Sequence, residues 1–425
     1  MLGATTLRLI ADALQPPLIY RRDLVQEYLV GRAVLAGEDP YSPIPTLAKA
    51  YLPDAEAAFL PHSTPHPPPV ALLSFLLALM PYQTASVAWL VLEIFAVALI
   101  WRLLSSWMQL NLGIAGVALG TIVAIGWQPF MQELLYGQLM ILLLLFVMLC
   151  GLAWHHGRFV RAGVFLGIAL SLKLLGWPIL VYWTLKRRWS SVAATMGTAL
   201  LLNLVATFAV TPEVLFDYYV RIPGLVVAWN VYRLFNFSPL TVGWRFFGGT
   251  GSQVLSCFAA APLIHIPGVA SYVSALAMAA VLAVGLGLAL RTHTTDVAFM
   301  ILICLSTLTT PVVWIHYFTW LLPPLVYLFR QLLSQEFRLG LSTGGVIVIG
   351  VLALPASALT GLACILSGNS ACVDQQVSFH AGLVTYLQPL AVVLMMWLLS
   401  RAHGNRSASD ILPGCTRTSR AGAGL

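Results

Sequence analysis

Long apolar runs recur through most of the chain, and they constrain the fold more than any other feature. Runs such as 85–104, 342–362 and 381–400 match the length of about 20 residues that a helix needs to cross a bilayer. Only 9% of the residues are charged, against roughly 25% in a soluble domain. Because the runs are continuous and do not alternate, they favour helices over a transmembrane barrel. The sequence therefore predicts an all-α polytopic membrane protein with about ten to eleven membrane helices.

The scarce charges are unevenly distributed, and this predicts the side on which each loop lies. Lys and Arg cluster at alternate ends of the apolar runs, which explains the net charge of +7 by topology and not by nucleic-acid binding. Segments 21–69 and 211–270 are predicted to be extracytoplasmic, and residues 131–138 are predicted to form a short outer turn between two spans. The chain is expected to be one membrane domain, 1–400, with a polar cytoplasmic tail, 401–425. Segment 21–69 holds six of the fifteen carboxylates: Asp23, Glu27, Glu38, Asp39, Asp54 and Glu56.

Two apolar segments do not fit a simple crossing. Residues 1–22 are short and are broken by Pro16 and Pro17, so whether they span the membrane or lie in its interface is left open. The run 162–183 has basic residues beyond both ends, which places both ends in the cytoplasm. A run of this length cannot cross twice, so the break at 173–178 predicts a hairpin of two short helices that dips into the membrane.

Asp23 is the leading catalytic candidate among the acids of the first loop. It stands between Arg22 and Tyr28, where a first outer helix would begin. One interpretation is an N-cap carboxylate paired with neighbouring arginines, and the other is a general base that faces the membrane surface. Glu27 lies one turn further on the same helical face, where it either supports Asp23 or replaces it.

Metal-binding patterns in the first loop are weak. Asp54 and Glu56 resemble the acidic pair that binds metal in some sugar transferases, but this spacing chelates one ion only on an extended chain. His62 and His66 have the spacing of a zinc pair, yet the prolines beside them forbid the helix that would align them. We therefore expect no metal and no other cofactor.

Cys364 and Cys372 flank a short polar loop near the end of the chain. A disulfide between them is left open, because it requires an oxidising compartment and a suitable geometry. The other four cysteines are scattered over apolar or tail positions and suggest no framework.

Several basic residues could bind an anionic headgroup. Lys173 lies in an apolar run at the tip of the predicted hairpin, where an ionisable group is usually functional or paired. Arg221, Arg233 and Arg245 recur among aromatic residues of the second outer segment, either for bidentate phosphate recognition or as interfacial snorkelling residues. His316, between aromatics at an outer helix end, is either a packed residue or a binding residue.

A series of short motifs runs from Asp23 to Phe329. They are Arg22-Asp23-Leu24 with Tyr28, Gly37-Glu38-Asp39-Pro40-Tyr41, Pro67-Pro68-Pro69, Tyr136-Gly137-Gln138, Gly167 with Lys173 and Pro178, Asn236-Phe237-Ser238 before Arg245, and Pro311 with Trp314-Ile315-His316-Tyr317. Each is weak alone, but their order and spacing resemble glycosyltransferase family 87. The members of that family are bacterial multi-spanning enzymes of the GT-C superfamily, and the best known are α-mannosyltransferases that depend on polyprenol-phosphate-mannose.

The resemblance implies a fold, an activity and a location. It implies a GT-C-type fold in a bacterial plasma membrane, with the active site on the extracytoplasmic face. The activity would be inverting transfer of mannose, or of another hexose or pentose, from a polyprenyl-phosphate donor to a glycolipid or polysaccharide acceptor. Membrane lipids would be further partners, and nucleic acid would not be one.

The resemblance also assigns roles to residues. It places the catalytic base at Asp23, the family's membrane lysine at Lys173 and its outer histidine at His316. The chain departs from the family pattern because the helix before Asp23 is short and broken, and because Glu27 stands where tyrosine is common, which leaves open which acid is the base. A lipid phosphate leaving group needs cationic stabilisation, for which the candidates are Lys173, Arg221, Arg233 and Arg245. The expected substrate-binding residues are Tyr28, Tyr41, Gln138, Asn236, Trp314 and His316.

Two other classes fit parts of the sequence. A transporter or lipid flippase would share the many helices, the broken hairpin and Lys173, but it predicts related halves and paired intramembrane charges. No internal repeat is apparent, and few charges beyond Glu93 and Lys173 lie within apolar runs. A structural assembly subunit is the third class, and it would neither hydrolyse nor transfer a lipid-linked sugar.

Overall fold

A computed structural model describes residues 2–55, 62–231, 233, 235–249, 261–333, 339–366 and 379–401. Over these ranges the chain forms α-helices joined by short 3-10 and π-helical turns, and it contains no strand. The predicted all-α membrane fold is therefore confirmed. The predicted tail beyond Arg401 lies outside the described residues.

The order of the helices is as follows: α1 Leu2–Ala13, α2 Leu24–Ala36, α3 Ile44–Tyr51, α4 Val70–Ala78, α5 Tyr82–Trp107, α6 Ile114–Gly126, α7 Gln128–Tyr136, α8 Met140–His155, α9 Phe159–Leu172, α10 Trp177–Leu185, α11 Trp189–Ala206, α12 Pro212–Asn230, α13 Pro267–Arg291, α14 Thr295–Leu308, α15 Leu322–Leu333, α16 Leu339–Ala353, α17 Ala356–Leu366, α18 Phe379–Leu383 and α19 Leu387–Arg401. Proline occupies the first or second position of α3, α7, α10, α12 and α13, where its missing N–H costs no helical hydrogen bond.

Four helices are long and apolar enough to cross a membrane: α5, α11, α13 and the stretch 384–401 that contains α19. Two pairs of helices are long and apolar enough to cross a membrane only if each pair is counted as one span. They are α6 with α7, which meet at a bend of 79°, and α16 with α17, which meet at a bend of 92°. The described residues thus hold four to six candidate spans by length and composition, fewer than expected. The apolar helices α8, α9 and α14 have 14–16 residues, about 21–24 Å of helix against a hydrocarbon core of about 30 Å.

Several segments compare directly with the sequence predictions. The two short helices predicted at 162–183 are present as α9 and α10, with a break between them. The stretch before Gln138, predicted to be a short turn, is instead the helix α7. The single span predicted at 342–362 is divided into α16 and α17 around Pro355. Within the segment 1–22, α1 is about 18 Å long, too short to cross alone, and packs on α6 and α7, and Leu18–Arg21 form a 3-10 turn.

The core is centred on α8, α14 and the 3-10 segment Ile315–Leu321. Every residue of α14 from Val297 to Leu308 is buried. Trp320 donates from Nε1 to the carbonyl oxygen of Met140 at 3.2 Å, which ties the 3-10 segment to the start of α8. This central packing fixes the position of the segment 311–317, which enters the candidate site.

Candidate active site

A cavity of about 1000 Å³ opens where several parts of the chain meet. They include the start of α2, the segment 62–67, one face of α7, the break between α9 and α10, the helix α12 with the residues that follow it, and the segment 310–317. The cavity brings together more than half of the residues predicted to form the site. Those that line it are Asp23, Gln138, Lys173, Arg221, Arg233, Trp314 and His316.

Asp23 stands at the N-terminus of α2, but its carboxylate does not cap the helix. Its Oδ2 accepts a hydrogen bond from the Nε2 amide of Gln138 at 2.7 Å. Burial raises the pKa of Asp23 and the nearby Glu27 adds to the rise, whereas the hydrogen bond from Gln138 and the nearby His66 and Lys173 side chains oppose it. A carboxylate with a raised pKa that lines a cavity is suited to general-base chemistry.

Arg22 does not form an ion pair with Asp23. The interpretation of Asp23 as an N-cap residue paired with neighbouring arginines therefore fails for this pair as well as for the cap. The buried guanidinium of Arg22 donates instead to main-chain oxygens of α5 and of the end of α7, where a helix leaves carbonyl groups unsatisfied. The acceptors are Leu134 at 3.0 Å, Leu135 at 3.1 Å and Ser86 at 3.4 Å. Arg22 therefore anchors the residue before Asp23 and leaves the Asp23 carboxylate to the cavity.

The turn between α7 and α8 carries Gln138 and is fixed from two sides. Gly137 has a φ of 66°, and a Cβ there would lie 2.8 Å from Nη2 of Arg22, so both the conformation and the close approach favour glycine. On the other side, the carboxylate of Glu133 accepts from the first N–H groups of α8, that of Ile141 at 3.2 Å. Sequence reasoning missed Glu133, because it lies in α7 and its partners begin seven residues further on, at the N-terminus of α8, where a helix favours negative charge.

Glu27, the alternative base, does not line the cavity. It is only 2% exposed, and its carboxylate lies against Nδ1 of His66, which is 3% exposed and does line the cavity. Asp23 and Glu27 are one turn apart on α2, as expected. Their environments nevertheless differ, because only Asp23 can contact a ligand in the cavity directly.

Lys173 ends α9 at the break in the hairpin, where its backbone is extended (φ −162°, ψ 130°). Its Nζ lies 4.4 Å from the centroid of the Tyr317 ring, within cation–π distance. Lys173 also interacts electrostatically with both Asp23 and His316. The break in the hairpin thus brings a fixed positive charge into the same cavity as the acid.

Two arginines of the second outer segment line the cavity in different states. The guanidinium of Arg233 lies 5.6 Å from the centroid of the Trp314 ring. Burial lowers the pKa of Arg233, and the charge of Asp23 only partly opposes this. Arg221 is bound to Asp217, one turn earlier on α12, by hydrogen bonds of 2.7, 3.0 and 3.2 Å. Arg233 is therefore the cation of this segment that is better placed to bind an anion.

His316 is buried beside the rings of Tyr136 and Tyr317, at centroid distances of 6.2 and 5.0 Å. Burial holds its pKa well below the usual value, and the charge of Lys173 lowers it further. Among the described residues Nε2 of His316 has no hydrogen-bond partner. A neutral imidazole with a free nitrogen in a cavity is suited to bind a polar group of a ligand.

Arg245 does not line the cavity. Its buried guanidinium donates to the carbonyl oxygens of Gly382 at 3.0 Å and Asn236 at 3.3 Å, and to the hydroxyl of Thr385. It also lies 4.6 Å from the centroid of the Tyr386 ring. The structure therefore places Arg245 between the second outer segment and the C-terminal helices, not at a phosphate site.

Asn236, Tyr28 and Tyr41 also lie outside the cavity lining. Asn236 is fully buried, so its side chain is not free for the expected substrate contact. Its amide makes four hydrogen bonds of 2.9–3.1 Å, with main-chain groups of Asn230, Ser238, Pro311 and Val313. The hydroxyl of Tyr28 donates to the Met80 oxygen at 3.2 Å, and that of Tyr41 to the His66 oxygen at 2.8 Å.

The weak metal and disulfide patterns gain no support. Glu56 and Cys372 lie outside the described residues, so the pairs Asp54–Glu56 and Cys364–Cys372 fall outside them too. His62 packs on Trp229, with ring centroids 5.6 Å apart, and does not face the same partner as His66. Within the described ranges no group of three or more His, Cys, Asp and Glu side chains is arranged to hold a metal ion.

A polar face of α7 was missed from the sequence. Gln128, Gln132 and Tyr136 recur at every fourth position, and all three line the cavity. The stretch was interpreted as a turn, in which this spacing has no meaning. On a helix the same spacing puts the three side chains on one face.

The chain was compared with known families, curated proteins and solved structures. The model of glycosyltransferase family 87 matches residues 65–314, more than half of the chain. The match includes His66, Gln138, Lys173 and Arg233, and it begins after Asp23. No curated protein and no solved structure shows a significant match.

Proposed function

The chain belongs to glycosyltransferase family 87 and is a membrane glycosyltransferase, and we propose that it transfers a sugar from a polyprenyl-phosphate donor to a hydroxyl group of a glycolipid or polysaccharide. The observation that carries the proposal is one cavity in which the Asp23 carboxylate lies with Lys173 and Arg233. A base and two cations are what such a transfer requires.

Asp23 is the proposed base of an inverting displacement. Its carboxylate takes the proton of the acceptor hydroxyl while that oxygen forms a bond to the anomeric carbon of the sugar. The bond between the anomeric carbon and the phosphate oxygen breaks, and its electron pair leaves with the lipid phosphate. Asp23 ends the step protonated and then releases the proton to water.

Lys173 and Arg233 are the proposed phosphate-binding residues. Each cation is held near an aromatic ring, that of Tyr317 or Trp314, which limits its movement before the substrate binds. Positive charge that is already in place stabilises the negative charge that develops on the leaving phosphate. Arg221, which is bound to Asp217, belongs to the lining but contributes less free charge.

The apolar part of the lining supports a lipid-linked donor. α12 contributes Ile222, Leu225 and Val226 to the cavity, and Leu174, beside Lys173, is 53% exposed. An apolar wall next to two cations suits a molecule that carries a hydrocarbon chain on a phosphate. A nucleotide sugar has no such chain to bury.

The distribution of charge supports an extracytoplasmic active site. The turns at the other ends of α9, α10 and α11 carry Arg158, Arg161 and the run 186–188, whereas the break between α9 and α10 enters the cavity. Under the positive-inside rule the basic turns are cytoplasmic, which puts the cavity towards the opposite face of a bacterial plasma membrane. We propose that residues 1–400 act as one GT-C-type domain around this cavity.

The donor is tested with purified protein in lipid nanodiscs. Polyprenyl-phosphate-linked sugars and nucleotide sugars would be supplied in parallel, and release of polyprenyl phosphate or nucleotide would be measured. We expect turnover of a lipid-linked sugar and none of a nucleotide sugar. Turnover of nucleotide sugars alone would contradict the proposal.

The same assay tests the expectation that no metal takes part. Asp23 and the two cations supply the base and the phosphate binding, so EDTA should leave the rate unchanged. Loss of activity in EDTA, restored by a divalent ion, would contradict this part of the mechanism and would direct attention to Asp54.

A further inference from the structure

Glu27 and His66 form a buried pair beside the cavity. The Glu27 carboxylate meets Nδ1 of the imidazole, and the two side chains are 2% and 3% exposed. The His66 ring lines the cavity, whereas Glu27 does not. Because Nδ1 is occupied, Nε2 is left for the cavity, and the hydrogen bonds of the described residues give Nε2 no partner.

The backbone around His66 is held as well. The hydroxyl of Tyr41 donates to the His66 carbonyl oxygen at 2.8 Å, and the hydroxyl of Tyr218 on α12 donates to that of Pro65 at 2.8 Å. The two tyrosine rings pack on each other with centroids 5.2 Å apart. The imidazole is therefore fixed by α2, by α12 and by the segment that follows α2.

His66 shares the cavity lining with Asp23, His316 and Lys173. It interacts electrostatically with both Asp23 and His316, and both of these groups interact with Lys173. In an inverting displacement the sugar ring lies between the base and the departing phosphate. A side chain that lines the cavity close to the proposed base is therefore within reach of a hydroxyl of that sugar.

We infer that His66 is a further substrate-binding residue, whose Nε2 accepts a hydrogen bond from a hydroxyl of the transferred sugar, and that Glu27 is a positioning residue that holds the imidazole. A carboxylate next to Nδ1 favours the neutral tautomer that carries its proton on Nδ1, and in that tautomer Nε2 is an acceptor. The inference rests on the proposed function, because it requires a sugar in this cavity. It also gives Glu27 a role other than that of an alternative base.

The test measures how much affinity the sugar adds. Binding of farnesyl phosphate would be compared with binding of farnesyl phosphate that carries mannose, glucose or arabinose. In the wild type at least one sugar should tighten binding. In His66→Phe we expect that gain to fall by about 3- to 10-fold, which is the contribution of one neutral hydrogen bond, with binding of farnesyl phosphate itself unchanged.

Further variants separate a sugar contact from a structural role. His66→Gln keeps a polar group near the position of Nε2 and should recover part of the gain. Glu27→Gln should lose part of it, and the double variant His66→Phe/Glu27→Gln should be no worse than His66→Phe, because Glu27 acts through the imidazole. Unchanged binding of farnesyl phosphate serves as the check that each variant is folded.

The chain offers a matched control pair. His155 and Asp296 also join Nδ1 to a carboxylate, at 2.9 Å, but neither lines the cavity. His155→Phe and Asp296→Asn should leave unchanged the increase in affinity that the sugar adds to farnesyl phosphate. Three results would overturn the assignment. They are an undiminished increase in affinity from the sugar in His66→Phe, an equal loss of affinity for farnesyl phosphate without a sugar, and a wild type in which none of the three sugars increases affinity.

Binding and turnover give separate answers in this design. The affinity comparison requires no reaction. A protein that binds the sugar through His66 but transfers none would contradict the proposed reaction and support the assignment of His66.

Discussion

At the scale of the residue, the account depends on the protonation state of Asp23. Burial raises the pKa of this carboxyl group, and the hydrogen bond from Gln138 opposes the rise. Only the unprotonated carboxylate can accept the proton of a hydroxyl group. The rate of transfer should therefore fall with decreasing pH as Asp23 becomes protonated.

Gln138→Leu tests this assignment through the pH dependence of kcat/KM. The substitution removes a hydrogen bond that favours the charged form, so the pKa of Asp23 rises further. A larger fraction of the enzyme is then protonated at a given acidic pH, and the acidic limb of the profile should move to higher pH. A limb that stays in place, or moves to lower pH, would show that Asp23 does not control it.

Lys173 and Arg245 were chosen from the same sequence signal, a cation among apolar or aromatic residues, but the structure separates them. Lys173→Met should weaken the binding of farnesyl phosphate by about 10- to 100-fold, because a charge-assisted contact is lost. Arg245→Met should leave that affinity within about twofold, since Arg245 is not at the cavity.

The Arg245 variant should instead lower the thermal stability. Its loss removes the guanidinium donor to the buried carbonyl group of Asn236 and one of two side-chain donors to that of Gly382, at a cost of about 1–3 kcal/mol. Weaker phosphate binding in Arg245→Met without loss of stability would contradict its placement.

At the scale of the element, the turn between α7 and α8 positions Gln138 against Asp23. Gly137→Ala should destabilise the protein by about 1–2 kcal/mol, because alanine strains the left-handed conformation and its Cβ meets Arg22. The unfolding midpoint and the rate of transfer would both fall. Gly197→Ala is the control, because a Cβ at this helical glycine meets nothing within 4 Å.

The hairpin shows what the sequence could predict at this scale. Basic residues beyond both ends of one apolar run predicted the two helices α9 and α10, and Lys173 was expected at their break. The helix α7 was not predicted, because nine residues between two apolar runs have too weak a pattern. The roles of Asn236 and Arg245 were also beyond prediction, because their partners come from distant segments.

At the scale of the whole molecule, the class of fold was predictable and the number of spans was not. Hydropathy separates apolar segments from water but cannot tell lipid from protein as the neighbour. α14 illustrates this, because its apolar side chains are buried inside the protein and not in a bilayer. Part of the cavity lining was predictable as a set of residues from distant parts of the chain, but its shape was not, because shape depends on how the bent helices pack.

The central claim is that Asp23, in this cavity, is the base of a lipid-linked sugar transfer. The most direct test is the turnover of a polyprenyl-phosphate-linked sugar by Asp23→Asn, which keeps the size of the side chain and removes its basicity. The account predicts a loss of about 10²- to 10⁴-fold, with farnesyl phosphate still bound. Asp39→Asn is the control, since Asp39 accepts a hydrogen bond from the backbone of Tyr41 in a turn and does not line the cavity. Turnover by Asp23→Asn at the wild-type rate would contradict the account.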